Sequence, residues 1–289
     1  MSTDPFTAHR RLLFTVAYEM LGSAADAEDV VQETWLRWAE VDRAEVRDPR
    51  AYLVRAVTRQ ALNRMRTLSR RREDYVGEWL PEPLLTAPDV AEDVELAESV
   101  SIAMLTVLET LGPTERAVFV LREVFDVPYG EVAQAVAKTP AAVRQIAHRA
   151  KAHVAARRPR VEVGAGEKRV VVDRFREAVR TGDLQALLDV LAPDVLLVAD
   201  GGGVVSAARR PIQGAEKVAG FLALLGRIAP GAQLGSLWVN GEPAIRIDLD
   251  GALDTVVSVV VEDGRISRIY SVRNPEKLTR MDAEAELAR

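Results

Sequence analysis

The spacing of apolar residues changes once along this chain, and that change limits what the chain can become. Through about residue 160 the apolar positions recur every three or four residues, the period of a helix with one buried face. From about Glu167 two more helical segments follow, split at Gly182 and Asp183, and a strand is expected after Pro193. "AIRIDLDGALDTVVSVVVEDGRISRIYSV" then alternates apolar and polar residues, turning at Asp250-Gly251 and Asp263-Gly264, the strongest short hairpin signals available. An all-helical part followed by an α+β part is therefore expected. With 289 residues and 48% hydrophobic content there is room for more than one core.

Within the helical part, Leu13, Val16, Ala17, Met20 and Leu21 lie on one face, Gly22 offers a stop, and Ser23 a cap for the next helix. "DAEDVVQETWLRW" puts Ala27, Val30, Val31, Trp35 and Trp38 inward and leaves Asp26, Asp29, Gln32 and Glu33 outward. After the "RDPR" turn, Val54, Val57, Ala61, Met65 and Leu68 form a third stripe, with Arg59, Asn63 and Arg66 along another face. Further on, "FDVPYGEVAQAVAKTPAAVRQIAHRAKAHV" reads as helix-turn-helix, its second helix opened by Thr139 as cap and Pro140 at the first position. Burying Val143, Ile146, Ala147, Ala150 and Val154 leaves Arg144, Gln145, His148, Arg149 and Lys151 outside, a set suited to base edges and phosphates. A solvated helix of a bundle explains the same pattern about as well.

Charge is segregated in a way the net value of -5 hides. Arg55 to Arg72 holds seven Arg and no acid, Glu73 to Glu98 nine acids and no base, and Thr139 to Arg160 six bases and no acid. Two basic faces joined by an acidic segment suit a protein that meets a polyanion at two places with a repulsive tether between them. There is no Cys, hence no disulfide or thiolate metal site, and neither a metal nor a cofactor is expected. No apolar leader or membrane-spanning run is present, so a cytoplasmic location is expected.

"DAEDVVQETWLRW" with "DPRAYLVRAVTRQALNRMR" resembles domain 2 of the extracytoplasmic-function sigma factors of bacterial RNA polymerase, and "LETLGPTERAVFVLREVFDVPYGEVAQAVAKTPAAVRQIAHRAKAHV" resembles their domain 4. The resemblance implies that Asp26, Asp29, Gln32, Glu33 and Trp35 dock on the polymerase clamp helices, and that domain 4 also meets the flap. It implies that Arg50, Arg55, Arg59, Asn63 and Arg66 capture the minus-10 element of promoter DNA. Arg144, Gln145, His148, Arg149 and Lys151 would read the minus-35 element. Residues 1–72 would be domain 2, 73–99 an acidic linker, 100–160 domain 4 and 167–289 a further domain with a tail.

That further domain resembles the SnoaL-like fold, a curved, mainly antiparallel sheet wrapped as a cone around a pocket. Sigma factors of the SigJ type carry such an extension with three signatures. Here "WLPEPL" (Trp79–Leu84) and "NPEKL" (Asn274–Leu278) are intact, while "DGGGV" at 200–204 has Val204 where the type has Lys. Trp79, Leu80 and Leu84 would be costly in water, so the extension is expected to cover them, regulating in cis through Trp79, Leu80, Pro81, Leu84, Asp200, Gly201, Asn274 and Pro275. Two other readings stand beside this: a small-molecule sensor with a site near Trp238 or Phe221, and an enzyme. His9, His148 and His153 all lie in the helical part, which leaves Asp200, Tyr270 and Arg273 for acid/base work, and Asp200 before three glycines also reads as a simple tight turn.

Overall fold

The computed structural model describes residues 4–73, 75–158, 164–229 and 231–289. The first unit consists of α1 (Pro5–Leu21), α2 (Ala24–Ala39) and α3 (Pro49–Glu73). Gly22 ends α1 at φ +66°, where its N–H reaches Tyr18 O, and Ser23 then caps α2 by accepting from Asp26 N. Trp38 is buried as expected, but Trp35 is 47% exposed, a correction to its inward placement. Helical geometry explains it: Val31, Thr34 and Trp38 already fill the inner arc, and Trp35 falls outside it.

The acidic segment runs into α4 (Val94–Val100), and α5 (Ile102–Leu108), α6 (Pro113–Phe119) with a π-helical turn at Val120–Val124, α7 (Tyr129–Val136) and α8 (Pro140–Ala155) follow. Ala137 at φ +53° makes the turn between α7 and α8, and Thr139 Oγ1 accepts from Ala142 N to open α8. The two helical units do not stand apart. Leu13, Val16, Val30, Trp38 and Val57 belong to the same apolar core as Leu108, Val118, Leu121, Val132, Val143 and Ala147. The acidic segment is thus no extended tether: Leu80, Leu84, Leu96, Ala97 and Val100 are buried, while Asp93 caps α4 by accepting from Leu96 N. Apolar burial outweighs like-charge repulsion there because Asp93 and Glu95 keep their contact with water.

The C-terminal part begins with α9 (Ala165–Thr181) and α10 (Leu184–Val190); its expected boundary at 160–167 falls mostly on residues outside those described. Six strands follow, β1 (Leu191–Asp200), β2 (Ile212–Gln213), β3 (Gln233–Val239), β4 (Glu242–Leu249), β5 (Ala252–Glu262) and β6 (Arg265–Val272), with α11 (Ala215–Ile228) between β2 and β3. Their order is β2-β1-β6-β5-β4-β3, and every pair is antiparallel except β1 with β6. β1 starts before Pro193 rather than after it, and its pairing with β6 shifts register between Leu191 and Leu196, where the proline lacks a ladder donor. Both expected Asp-Gly turns form, with φ of +52° and +80° at 250–251 and +50° and +70° at 263–264. A third such turn, Asn240-Gly241 at +55° and +74°, joins β3 to β4.

Both faces of the sheet are covered. On one, Val171, Phe175, Leu187, Val218 and Leu222 from α9, α10 and α11 pack on Ile245, Val257, Val259 and Ile269, filling that side with apolar side chains. On the other, Val239, Ala244, Val256, Val260 and Tyr270 meet Leu80 of the acidic segment, Ile102 and Ala103 of α5, and Leu278 and Met281 of the tail. This is why β5 reads as nearly continuous valine: each face of the strand has its own core.

Candidate functional site

α8 presents Arg144, Gln145, His148, Arg149 and Lys151 outward, all exposed, while Val143, Ala147, Ala150 and Val154 are buried. Three of the five have a neighbour, Arg149 the weakest, with its Nε 4.0 Å from Glu115 Oε1. Lys151 Nζ lies 2.6 Å from Glu123 Oε2, a hydrogen bond that raises its pKa, and the Arg144 guanidinium sits 5.7 Å over the Tyr129 ring. Gln145 and His148 face solvent beside them.

On α3, Arg50, Arg59, Asn63 and Arg66 are exposed and Arg55 is half-buried. Arg55 Nη1 donates to Gln134 Oε1 at 2.7 Å and Arg59 Nη2 to Gln134 O at 2.8 Å, so these two reach across to α7. Arg66 Nη1 donates to Asn63 Oδ1. On α2, Gln32, Glu33 and Trp35 are exposed, but Asp26 and Asp29 are bound by one arginine, Arg64, at 2.7 and 2.8 Å. Reading α3 as one basic face missed Arg64, which lies off the Arg59–Arg66 face and turns toward α2.

The most completely built site is where the acidic segment meets the sheet. "WLPEPL" lies between the first helical unit and the C-terminal part, with Leu80, Pro81, Pro83 and Leu84 buried and Trp79 half-buried. Leu80 N donates to Asp200 Oδ2 at 2.8 Å, and Lys277 Nζ donates to Leu80 O at 2.6 Å. Leu84 N donates to Asn240 Oδ1 and Leu84 O accepts from Asn240 N, both at 2.9 Å; Thr86 N continues the ladder to Trp238 O. The segment is thereby joined to the β3–β4 turn through an isolated antiparallel bridge, Leu85 opposite Val239. From the opposite side, Glu82 N donates to Gly22 O, and the Glu82 carboxylate caps α2, accepting from Ala24 N at 2.8 Å and from Ser23 Oγ at 3.1 Å. Burial raises the Glu82 pKa, and these donors oppose the shift.

Asp200 is fully buried and is more than a turn residue. Its carboxylate accepts from Tyr75 Oη at 2.6 Å, Leu80 N, Gly202 N at 3.0 Å and Lys277 Nζ at 2.7 Å. Burial, then the hydrogen bond to Asp200, raises the Tyr75 pKa. The glycines after it answer to close approach: a Cβ on Gly202 would collide with the Asn274 amide, and one on Gly203 would meet Val76 Cβ at 2.8 Å. Gly201 is buried against Val205 O. Asn274 donates to Tyr75 Oη, whereas Pro275, expected at the contact, is exposed and only shapes the one-turn helix that Asn274 caps. Sequence reasoning missed Lys277 and Asn240. The first stands inside the quoted "NPEKL"; the second was visible as an Asn-Gly hairpin pair.

Asn240 joins three parts of the chain. Its Nδ2 donates to Tyr18 Oη of α1 and to Val100 O at the end of α4, both at 2.7 Å, and Tyr18 Oη donates to Glu82 O. Beside it, Arg116 Nε donates to Glu19 O at 2.8 Å, the Arg116 guanidinium pairs with Glu109, and Ser99 Oγ donates to Glu19 Oε1. Burial pushes the Glu19 carboxyl up to about 8, against the pull of Ser99 and Arg116. The groups an acid/base mechanism would need are committed elsewhere: Asp200 as above, Arg273 to Asp254 by two 2.9 Å bonds, and Tyr270 to the face covered by the acidic segment.

Residues 6–71 match Sigma-70 region 2 and residues 101–154 match Sigma-70, region 4. The ECF RNA polymerase sigma factor SigJ of Mycobacterium tuberculosis is 38% identical over 96% of this chain and 94% of its own length. The chain belongs to the extracytoplasmic-function sigma factors. The probable ECF RNA polymerase sigma factor SigI of the same organism is 34% identical over 96% of this chain and 94% of its own. The crystal structure of SigJ superposes with a TM-score of 0.77, at 35% identity, covering 96% of this chain and 98% of that one. This sigma factor is therefore an alternative promoter-recognition subunit for transcription initiation, in which domain 2, domain 4 and an α+β extension occur in that order. As a family, these proteins are transcription factors that bind core RNA polymerase and promoter DNA. Among the described residues no helix is long and apolar enough to cross a membrane.

Proposed function

We propose that this sigma factor, acting in the cytoplasm, docks on the polymerase clamp helices through the α2 face bearing Asp26, Asp29, Gln32, Glu33 and Trp35, with domain 4 on the flap. Arg50, Arg55, Arg59, Asn63 and Arg66 take the minus-10 element, and Arg144, Gln145, His148, Arg149 and Lys151 the minus-35 element. The SnoaL-like extension is a regulator in cis, doing for this chain the work of a separate inhibitory partner. The observation that carries this last part is the enclosure of Leu80–Thr86, whose backbone groups bond to domain 2 at Glu82 and to the extension at Leu80, Leu84 and Thr86. A segment so held fixes how far domain 2 and domain 4 can separate.

In vitro transcription with core polymerase and a cognate promoter tests it, using the full chain, a chain ending at residue 160 and a chain ending at Arg273. Both truncations should change activity, the second because it removes Asn274 and Lys277. Three equal activities would refute regulation in cis. Asp29→Arg with Glu33→Arg should abolish co-purification with core polymerase while lowering the melting temperature only slightly, since both side chains are exposed and the surface pair of Asp29 with Arg64 is worth about 0–1 kcal/mol. Undiminished co-purification would reject the α2 docking face.

A further inference from the structure

The basic face assigned to the minus-10 element is partly occupied by the chain itself. Arg55 and Arg59 are one helical turn apart on α3, so their guanidinium groups project side by side toward α7. Both end on Gln134: Arg55 on the side-chain oxygen at 2.7 Å, Arg59 on the backbone carbonyl at 2.8 Å. That carbonyl belongs to the last turn of α7, which ends at Val136, and a helix has no internal donors for its last four carbonyls. A guanidinium there satisfies one of them and lies at the negative end of the helix dipole. Gln134 itself is exposed, between the buried Ala133 and Ala135, so its side chain is free to leave without opening the domain 4 core.

We propose that Gln134 is an intramolecular stand-in for the promoter backbone, a latch that occupies Arg55 and Arg59 and holds domain 4 against domain 2 until nucleic acid replaces it. The inference rests on the minus-10 assignment above. Its direction follows from charge. An amide oxygen and a carbonyl are neutral acceptors, whereas a phosphate oxygen is ionised and forms the stronger, charge-assisted bond with the same guanidinium. Phosphate therefore displaces Gln134, and the displacement removes this polar tie and loosens α7 against α3, while the apolar core they share remains. Engagement of domain 2 by DNA and loosening of α7 against α3 become one coupled event, so each favours the other by the same factor.

The test uses the full chain carrying a donor–acceptor dye pair on exposed positions of α3 and α8, read first without DNA and then with single-stranded oligo-dT as a probe of backbone binding. Gln134→Ala should lengthen the DNA-free distance and strengthen oligo-dT binding about two- to tenfold, the worth of one net hydrogen bond. Gln134→Glu should shorten it, with a salt dependence absent from the parent chain, and weaken oligo-dT binding. Arg59→Ala should lengthen the distance and weaken binding together. If Gln134→Ala leaves the DNA-free distance unchanged, or weakens binding as a direct DNA contact would, the latch is wrong. If the distance responds as expected while Arg55→Ala and Arg59→Ala leave oligo-dT binding intact, the minus-10 assignment has failed, and the coupling with it.

Discussion

Lys277 and Asp200 lie 77 residues apart in sequence and meet at 2.7 Å with hardly any water: Asp200 is fully buried and the Lys277 side chain 11% exposed. A carboxylate in that setting needs all of its donors, because an unpaired buried charge costs far more than the pair contributes. Lys277→Met keeps the length and removes the charge. It should destabilise the full chain by about 3–5 kcal/mol, the usual effect of removing one partner of a buried pair, seen as a lower urea midpoint. Adding Asp200→Asn to Lys277→Met should cost less than the sum of the two single changes, since the residues share one network. Additive losses would mean the two side chains act independently. Val204 is exposed beside this site, and among the described residues Lys277 is the cation that pairs with Asp200.

At the scale of elements, the β3–β4 hairpin does more than close a sheet edge. Its Asn240-Gly241 turn presents Trp238 O and Asn240 to residues 84–86, and Gly241 packs directly on α4. A Cβ on Gly241 would stand 2.8 Å from Ala97 Cβ and 2.9 Å from Ala97 Cα, a clash no rotamer relieves, at a φ of +74°. Gly251 has φ +80° but nothing within 4 Å. Comparing Gly241→Ala with Gly251→Ala therefore separates backbone strain from docking. Gly251→Ala should cost about 1–3 kcal/mol, the usual price of a left-handed residue. Gly241→Ala should cost visibly more and should raise hydrogen exchange at the Leu84 and Thr86 amides. Equal losses without a change in exchange would show that the hairpin does not hold the linker.

Across the whole molecule, Glu19 of α1, Ser99 of α4 and Arg116 of α6 meet where domain 2, the linker and domain 4 join. Burial raises the Glu19 pKa from the ordinary 4.5 to about 8, so between those values the folded chain keeps a proton the unfolded chain has lost. Stability must then fall as pH rises across that window, by about 1.4 kcal/mol per unit, with the contribution fully present only below it. Burial also lowers the Arg116 pKa, but a guanidinium stays charged across this window and adds no slope to it. Glu19→Gln mimics the protonated acid. It should match the parent chain in urea unfolding near pH 5 and exceed it near pH 8; a constant difference at all pH values would show that Glu19 is not the titrating group.

What the sequence by itself determined is whatever depends on neighbours close in the chain. The helices of domain 2 and domain 4, the caps at Ser23 and Thr139, the outward set on α8 and the two Asp-Gly hairpins all follow from periods of 3.6 and 2 and from residues that favour positive φ. The alternation of β5 was equally legible, though its unbroken valines were a sign, not taken, that both faces would be covered. Only the tertiary structure decided how these pieces are joined. Charge runs suggested that domain 2 and domain 4 stand apart, yet their apolar residues form one core, because burial acts on every exposed apolar face while repulsion between solvated charges is screened. Likewise no local pattern ties Tyr18, Glu82, Leu84 and Val100 to Asn240, or Lys277 to Asp200: a buried polar group takes its partner from whatever the fold brings within about 3 Å. The linker site was therefore foreseeable as a place and not as a set of bonds.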